Sequence, residues 1–199
     1  MDEFELLDWK RRVFALYATI RADAEPHRAW QRWRETRDEL FGGHAQSPLP
    51  EDARARFAGL RYFPYDSSLR TLAIVEPTPP EPVELPASAA SPIPFRRLGT
   101  ARFPLAGGEH ALDLYWLDAY GGGVFLAFSD ATSGGETYGA GRYLLDTVKG
   151  ADLGEDGGRL VLDFNFAYNP SCAYDPRWAC PLAPPGNRLP LAVRAGERL

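Results

Sequence analysis

The chain has 199 residues, of which 45% are hydrophobic, 13% aromatic and 25% charged, a profile that excludes a disordered or membrane-embedded protein and favours one folded domain. A formal net charge of -5 argues against a protein that grips a phosphate backbone, so nucleic acid is not an expected partner. No apolar run reaches membrane-spanning length and the acidic, amphipathic N-terminus is unlike a signal peptide, so a cytoplasmic protein without membrane contact is expected.

Leu6, Trp9, Val13, Leu16 and Ile20 recur at helical spacing and predict an amphipathic helix over residues 2–22. Asp23 just ahead of Pro26 supplies a cap and an early-helix proline, and Trp30, Trp33, Arg37 and Leu40 continue a second helical face to Gly42-Gly43. These two helices form a hairpin. After the turn His44–Leu49 a third helical piece is expected over 51–58, stopped by Gly59.

From Leu60 the pattern changes to strands, at 60–63 and 69–75. Residues 76–94 are rich in proline and small side chains and read as an extended surface excursion, because proline lacks the amide donor a central strand needs. Further strands are expected at 95–104, 110–117, 124–129, 137–145, 159–166 and 189–194, several joined by Gly-rich turns. Helices first and strands afterwards define an α+β fold, with N-terminal helices packed on a curved antiparallel sheet or partly closed β-barrel. Residues 1–199 are read as a single domain, helical over 1–59 and mainly β over 60–199.

Two runs, 128–143 and 162–174, place many hydrogen-bonding side chains between apolar strand residues. Such groups need partners when buried, so they mark either a polar pocket or an internal network. The pocket reading names Asp130, Thr132, Ser133, Tyr138, Arg142, Asp163, Asn165, Tyr168, Asn169 and Asn187 as lining residues for a small polar or anionic molecule. Arg142 would supply the charge through its planar fork. Asp163 and Asn165 are expected on one face of a strand, with Leu162, Phe164 and Phe166 on the other. The glycines of Tyr138-Gly-Ala-Gly-Arg-Tyr143 lack the spacing and following helix of a nucleotide loop and suit a close backbone approach instead.

A hydrolase-like reading uses Cys172 or Ser133 as nucleophile and His44 as base. Cys172, Cys180 and His44 are the conceivable metal ligands, but the cysteine spacing is not of the close Cys-x-x-Cys type, so no metal is favoured; the cofactor is unknown. The third reading makes the polar runs an interlocking network that serves stability alone.

His44–Leu49, Tyr62–Asp66, Asp130–Leu144, Leu162–Tyr174, Cys180–Leu189 and Ala195–Glu197 together resemble a bacterial family called domain of unknown function 1684. The resemblance runs from about Arg37 to the end and implies one continuous domain. It carries no established activity, substrate or cofactor.

Overall fold

The computed structural model describes residues 2–89 and 92–199. Three helices precede an antiparallel sheet of seven strands that curls into a half-barrel, an α+β architecture. The Asp2 carboxylate accepts the amide of Phe4 at 2.8 Å and so starts α1, Glu3–Ala22, whose first turn also carries Glu3 and Glu5. Asp23 ends α1 and also binds the Glu25 amide at 2.9 Å, and Pro26 then opens α2, Pro26–Gly43. Leu16, Tyr17 and Ile20 of α1 pack with Ala29, Trp30 and Trp33 of α2, and the Trp33 indole donates to the Tyr17 hydroxyl at 3.0 Å. The helix α3 spans only Glu51–Arg54, shorter than the expected 51–58. None of its residues is buried, so no packing sustains further turns.

The strands are β1 Arg70–Leu85, β2 Ile93–Leu105, β3 Gly108–Leu117, β4 Val124–Phe128, β5 Arg142–Asp146, β6 Glu155–Asp156 and β7 Arg159–Asp163. Their order across the sheet is β5-β4-β3-β2-β1-β7-β6. The described part of the proline-rich stretch, residues 76–89 and 92–94, lies mostly at the surface, as expected, and most of it is also strand; residues 90 and 91 lie outside the described residues. β7 pairs with β1 only at Arg70–Ala73, so beyond that point β1 is hydrogen-bonded to β2 alone. Its prolines are tolerated along a free edge, and the register shift between Pro77 and Glu81 absorbs the crowding there.

Four expected strands differ, and the one expected at 137–145 begins only at Arg142, the residues before it forming turns. Residues 60–63 contribute one bridge, Tyr62 to Glu197. β7 stops at Asp163, whose carboxylate accepts the Asn165 amide at 3.0 Å and turns the chain into a 3₁₀ turn, Phe164–Phe166. Asp163 and Asn165 therefore do not share a strand face. Residues 189–194 form no strand: the Leu189 amide bonds Ser129 and Leu191 accepts from Ala131, while the carbonyl of Val193 is taken by the side chain of Arg142.

Phe103, Leu112, Leu126, Phe128, Leu162 and Phe164 fill the curl of the sheet. A second cluster, centred on Trp33 and Phe166, welds the helical hairpin to the segment that follows β7. Its outer edge is where the fold leaves a cavity.

Candidate functional site

The candidate residues named from sequence separate into distinct hydrogen-bonded groups. Arg142, 1% exposed, donates from one terminal nitrogen to the Asp130 carboxylate at 2.9 Å and to the Val193 carbonyl at 2.9 Å, and from the other to the carbonyls of Glu197, at 3.1 Å, and Ala195. The second Asp130 oxygen accepts from the Thr132 amide at 2.7 Å, the Thr132 hydroxyl at 2.6 Å and the Val193 amide at 3.3 Å. Thr132 meets Thr137 at 2.8 Å, and the Ser133 hydroxyl accepts the Asp130 amide at 3.1 Å. Burial pushes the Arg142 pKa down and the Asp130 charge opposes that. Both terminal nitrogens of Arg142 are thus committed to holding the C-terminal segment.

Gly141 makes this possible, with φ of +91° and a carbon that lies where any Cβ would meet the Phe128 carbonyl at 2.5 Å. Two asparagines act as backbone surrogates. Asn165 exchanges hydrogen bonds with both backbone groups of Asp66, at 2.9 and 2.7 Å, and Asn187 does the same with Asp113 at 2.8 and 3.0 Å while also donating to Ala127 at 2.9 Å. Asp163 is 1% exposed, one of its oxygens has no hydrogen-bond partner among the described residues, and burial raises its pKa to about 6.

His44 engages the Asp8 carboxylate through Nε2 at 3.1 Å and accepts the Gln46 amide at Nδ1, 3.0 Å away. With both ring nitrogens so occupied, and neither Cys172 nor Ser133 among its hydrogen-bond partners, it is not placed as their base. The hydroxyl of Tyr138 lies 3.8 Å from the Cys172 sulfur, and the Cys172 amide donates to the Cys180 sulfur at 3.4 Å. Among the described residues no group of three or more His, Cys, Asp or Glu is arranged to hold a metal ion. No helix among them is long and apolar enough to cross a membrane.

Tyr168 and Asn169 lie elsewhere, in the wall of a cavity of about 80 Å³, partly open to solvent, between the helical hairpin and the sheet. Trp9, Tyr17, Trp33, Phe41 and Tyr143 supply its aromatic surfaces, Arg37 lies in its wall, and Lys149 and Ser171 complete the polar lining. The Arg37 guanidinium lies 4.9–5.1 Å from the centres of the Trp33, Phe41 and Tyr168 rings. It donates through Nη2 to Glu197 at 2.8 Å and through Nε to Tyr62 at 3.2 Å, and Nη1 has no hydrogen bond to a described residue. Glu197, 1% exposed, also accepts from the Tyr174 hydroxyl and from the Asn169 amide at 3.0 Å.

This leaves the Asn169 side chain. The residue is 5% exposed, its carboxamide makes no hydrogen bond to any described residue, and its oxygen is fully buried. Leaving a buried amide without a partner costs about 1–3 kcal/mol. Burial holds the Tyr168 phenol well above its ordinary pKa and pushes Tyr17 up to about 12, so both hydroxyls stay protonated at neutral pH.

Sequence reasoning took Trp9 only as part of the first helix's apolar face, and Trp33 and Arg37 only as part of the second helix's face. The available signal was the density of aromatic and arginine residues on those faces, more than a helix packed on plain aliphatic core requires. Tyr17, Tyr143 and Lys149 carried no local signal, because each reaches the cavity only through the packing of helix on sheet.

An α+β half-barrel roofed by a helical hairpin, with an aromatic, arginine-bearing cavity between the two, defines the class of protein. A family model described as "Protein of unknown function (DUF1684)" matches residues 55–198, and the chain belongs to that family. It is similar to the uncharacterized protein from gene locus rrnAC0354 of Haloarcula marismortui, solved by solution NMR, at 34% identity over 85% of this chain and 91% of that one, with a TM-score of 0.60. No curated protein matches it.

Proposed function

We propose that this protein binds a small organic molecule in the cavity beneath the helical hairpin, one with a flat apolar body and a polar or anionic group. The observation that carries the reading is the buried Asn169 carboxamide, which makes no hydrogen bond to a described residue, in a wall rich in aromatic rings. The rings of Trp33, Phe41, Tyr143 and Tyr168 give the cavity aromatic surfaces that suit a planar body. Nη1 of Arg37 and the side-chain amide of Asn169, neither hydrogen-bonded to a described residue, offer polar contacts to one group of the ligand. Lys149, which also pairs with the Asp146 carboxylate at 3.6 Å, is a further donor in the lining. The charged role expected of Arg142 passes in this reading to Arg37.

The test uses indole-3-acetate and 4-hydroxyphenylacetate as probes, with indole and glycerol as controls, followed by NMR of the tryptophan indole N–H signals. Binding of the aromatic acids should shift the Trp9 and Trp33 signals at concentrations where indole alone shifts them less, and Asn169→Leu should weaken the effect about tenfold, the value of one lost hydrogen bond. Unchanged tryptophan signals with all probes at millimolar concentration would overturn the reading.

A further inference from the structure

Cys172 and Cys180 are the two cysteines of the chain, and the fold sets them against each other away from any third metal-binding side chain among the described residues. Cys172 sits in a 3₁₀ turn, Ser171–Ala173, that follows Pro170, and it is partly exposed. Cys180 is buried, and its backbone is clamped in both directions by Ser88, whose hydroxyl accepts the Cys180 amide at 2.9 Å and whose amide donates to the Cys180 carbonyl at 2.9 Å. The Cys172 amide points at the Cys180 sulfur from 3.4 Å. One thiol is thus accessible and the other is held rigidly behind it, within a loop short enough that closing it costs little entropy.

We propose that Cys172 and Cys180 are a dithiol–disulfide couple oxidised by hydroperoxides, with Cys172 the attacking sulfur and Cys180 the resolving one. In the first step the Cys172 thiolate attacks one peroxide oxygen. An S–O bond forms, the O–O bond breaks, and the departing alkoxide or hydroxide takes a proton to leave as alcohol or water. Cys172 is now a sulfenic acid, oxidised by two electrons, and the peroxide has been reduced by two. In the second step the Cys180 sulfur attacks Cys172, the S–S bond forms, the S–O bond breaks, and the hydroxide leaves as water with the Cys180 proton.

The surroundings fit these roles. The Tyr138 hydroxyl, 3.8 Å from the Cys172 sulfur, is an O–H donor for a thiolate. The hydrogen bond with Cys180 also draws the Cys172 thiol down to about 6, while the same contact and burial push Cys180 up. The sulfur that must ionise is the accessible one, and the sulfur that must retain its proton until resolution is the buried one. None of this depends on a ligand in the aromatic cavity.

The full chain is treated with hydrogen peroxide or tert-butyl hydroperoxide, then analysed by thiol counting, intact mass and non-reducing tryptic mapping. Arg177 lies between the cysteines, so trypsin separates them and a disulfide joins two peptides. The expected result is loss of both free thiols, a mass lower by two hydrogens, a linked pair of peptides, and full reversal by dithiothreitol. Cys180→Ser should stop at a dimedone-trappable sulfenic acid on Cys172, and Cys172→Ser should leave Cys180 reduced. Persistence of both thiols at peroxide doses that oxidise glutathione would overturn the proposal, as would disulfides formed only between chains. Should either variant fail to fold, the thiol count and peptide map of the unaltered chain still decide it.

Discussion

Arg37 and Glu197, 160 positions apart in sequence, meet at 2.8 Å directly behind the aromatic cavity. The pair ties the second helix to the end of the chain, and Glu197 in turn holds Asn169 by its backbone and Tyr174 by its hydroxyl. The amide of Asn169 is thereby fixed in the cavity wall by a contact to its backbone, leaving its side chain uncommitted.

Because Glu197 is a fully buried carboxylate with three partners, removing it strands Arg37 among aromatic rings. Glu197→Ala is expected to cost about 3–5 kcal/mol of stability in urea unfolding. Arg37→Met combined with Glu197→Leu should cost less than the sum of the single changes, since neither charge is then left alone. Additive losses would show that the two do not act as a pair.

Arg142→Lys separates the shape of the guanidinium from its charge. An ammonium has three donors and no plane, so it cannot serve the Asp130 carboxylate and three carbonyls on the C-terminal segment together. The expected loss is about 3 kcal/mol, an estimate for a broken buried network. Ser133→Ala, which removes one acceptor for a single amide, should cost only about 1 kcal/mol. Equal losses from the two variants would mean that the network is not centred on Arg142.

Asp163 gives the protein a pH-dependent stability of known sign. Burial raises its folded pKa to about 6 from the ordinary value of 3.8, so between those values the folded state binds the proton more tightly than the unfolded one. Its contribution is fully present below about pH 4 and is lost as pH rises through about 6, roughly 2–3 kcal/mol over that window. Asp163→Asn, measured against the parent by denaturant unfolding from pH 4 to 8, should remove this part of the slope and gain relative to the parent at neutral pH.

Cys172 should react with iodoacetamide at a rate that rises with pH and levels off above about 6, because the thiolate is the nucleophile and the Cys180 hydrogen bond stabilises it. In Cys180→Ser the same titration should move towards the ordinary thiol range near 8.5. A parent profile that keeps climbing to pH 9 would show that Cys180 does not perturb its neighbour.

The fold class was legible because it rests on periodicity: the 3.6-residue spacing of Leu6 to Ile20 and the Gly-punctuated strands of β2 to β4 are local patterns. The departures are also physical. Residues 189–194 read as strand from their apolar content, yet Arg142 supplies a carbonyl partner that a neighbouring strand would have supplied. Asp163 and Asn165 alternate as strand residues do, but the Asp163 carboxylate captures the next amide but one and bends the chain. The polar runs were recognised as unusual, and most of their side chains, including Asp130, Thr132, Asn165 and Asn187, satisfy one another or the backbone. Tyr168 and Asn169 reach the cavity because the cavity is made by a helix hairpin far away in sequence, and no local pattern in residues 162–174 reports what packs above them.

The cavity's lining is of mixed descent. Its hydrogen-bonding floor, Tyr143, Tyr168 and Asn169, belongs to the segment matched by the family model, whereas Trp9, Tyr17, Trp33 and Arg37 all precede residue 55, where that match begins. Those hairpin residues meet the floor only through tertiary packing, so substitutions at Trp9 or Trp33 are expected to reshape the cavity while the sheet, the Arg142 clamp and the cysteine pair stay as they are.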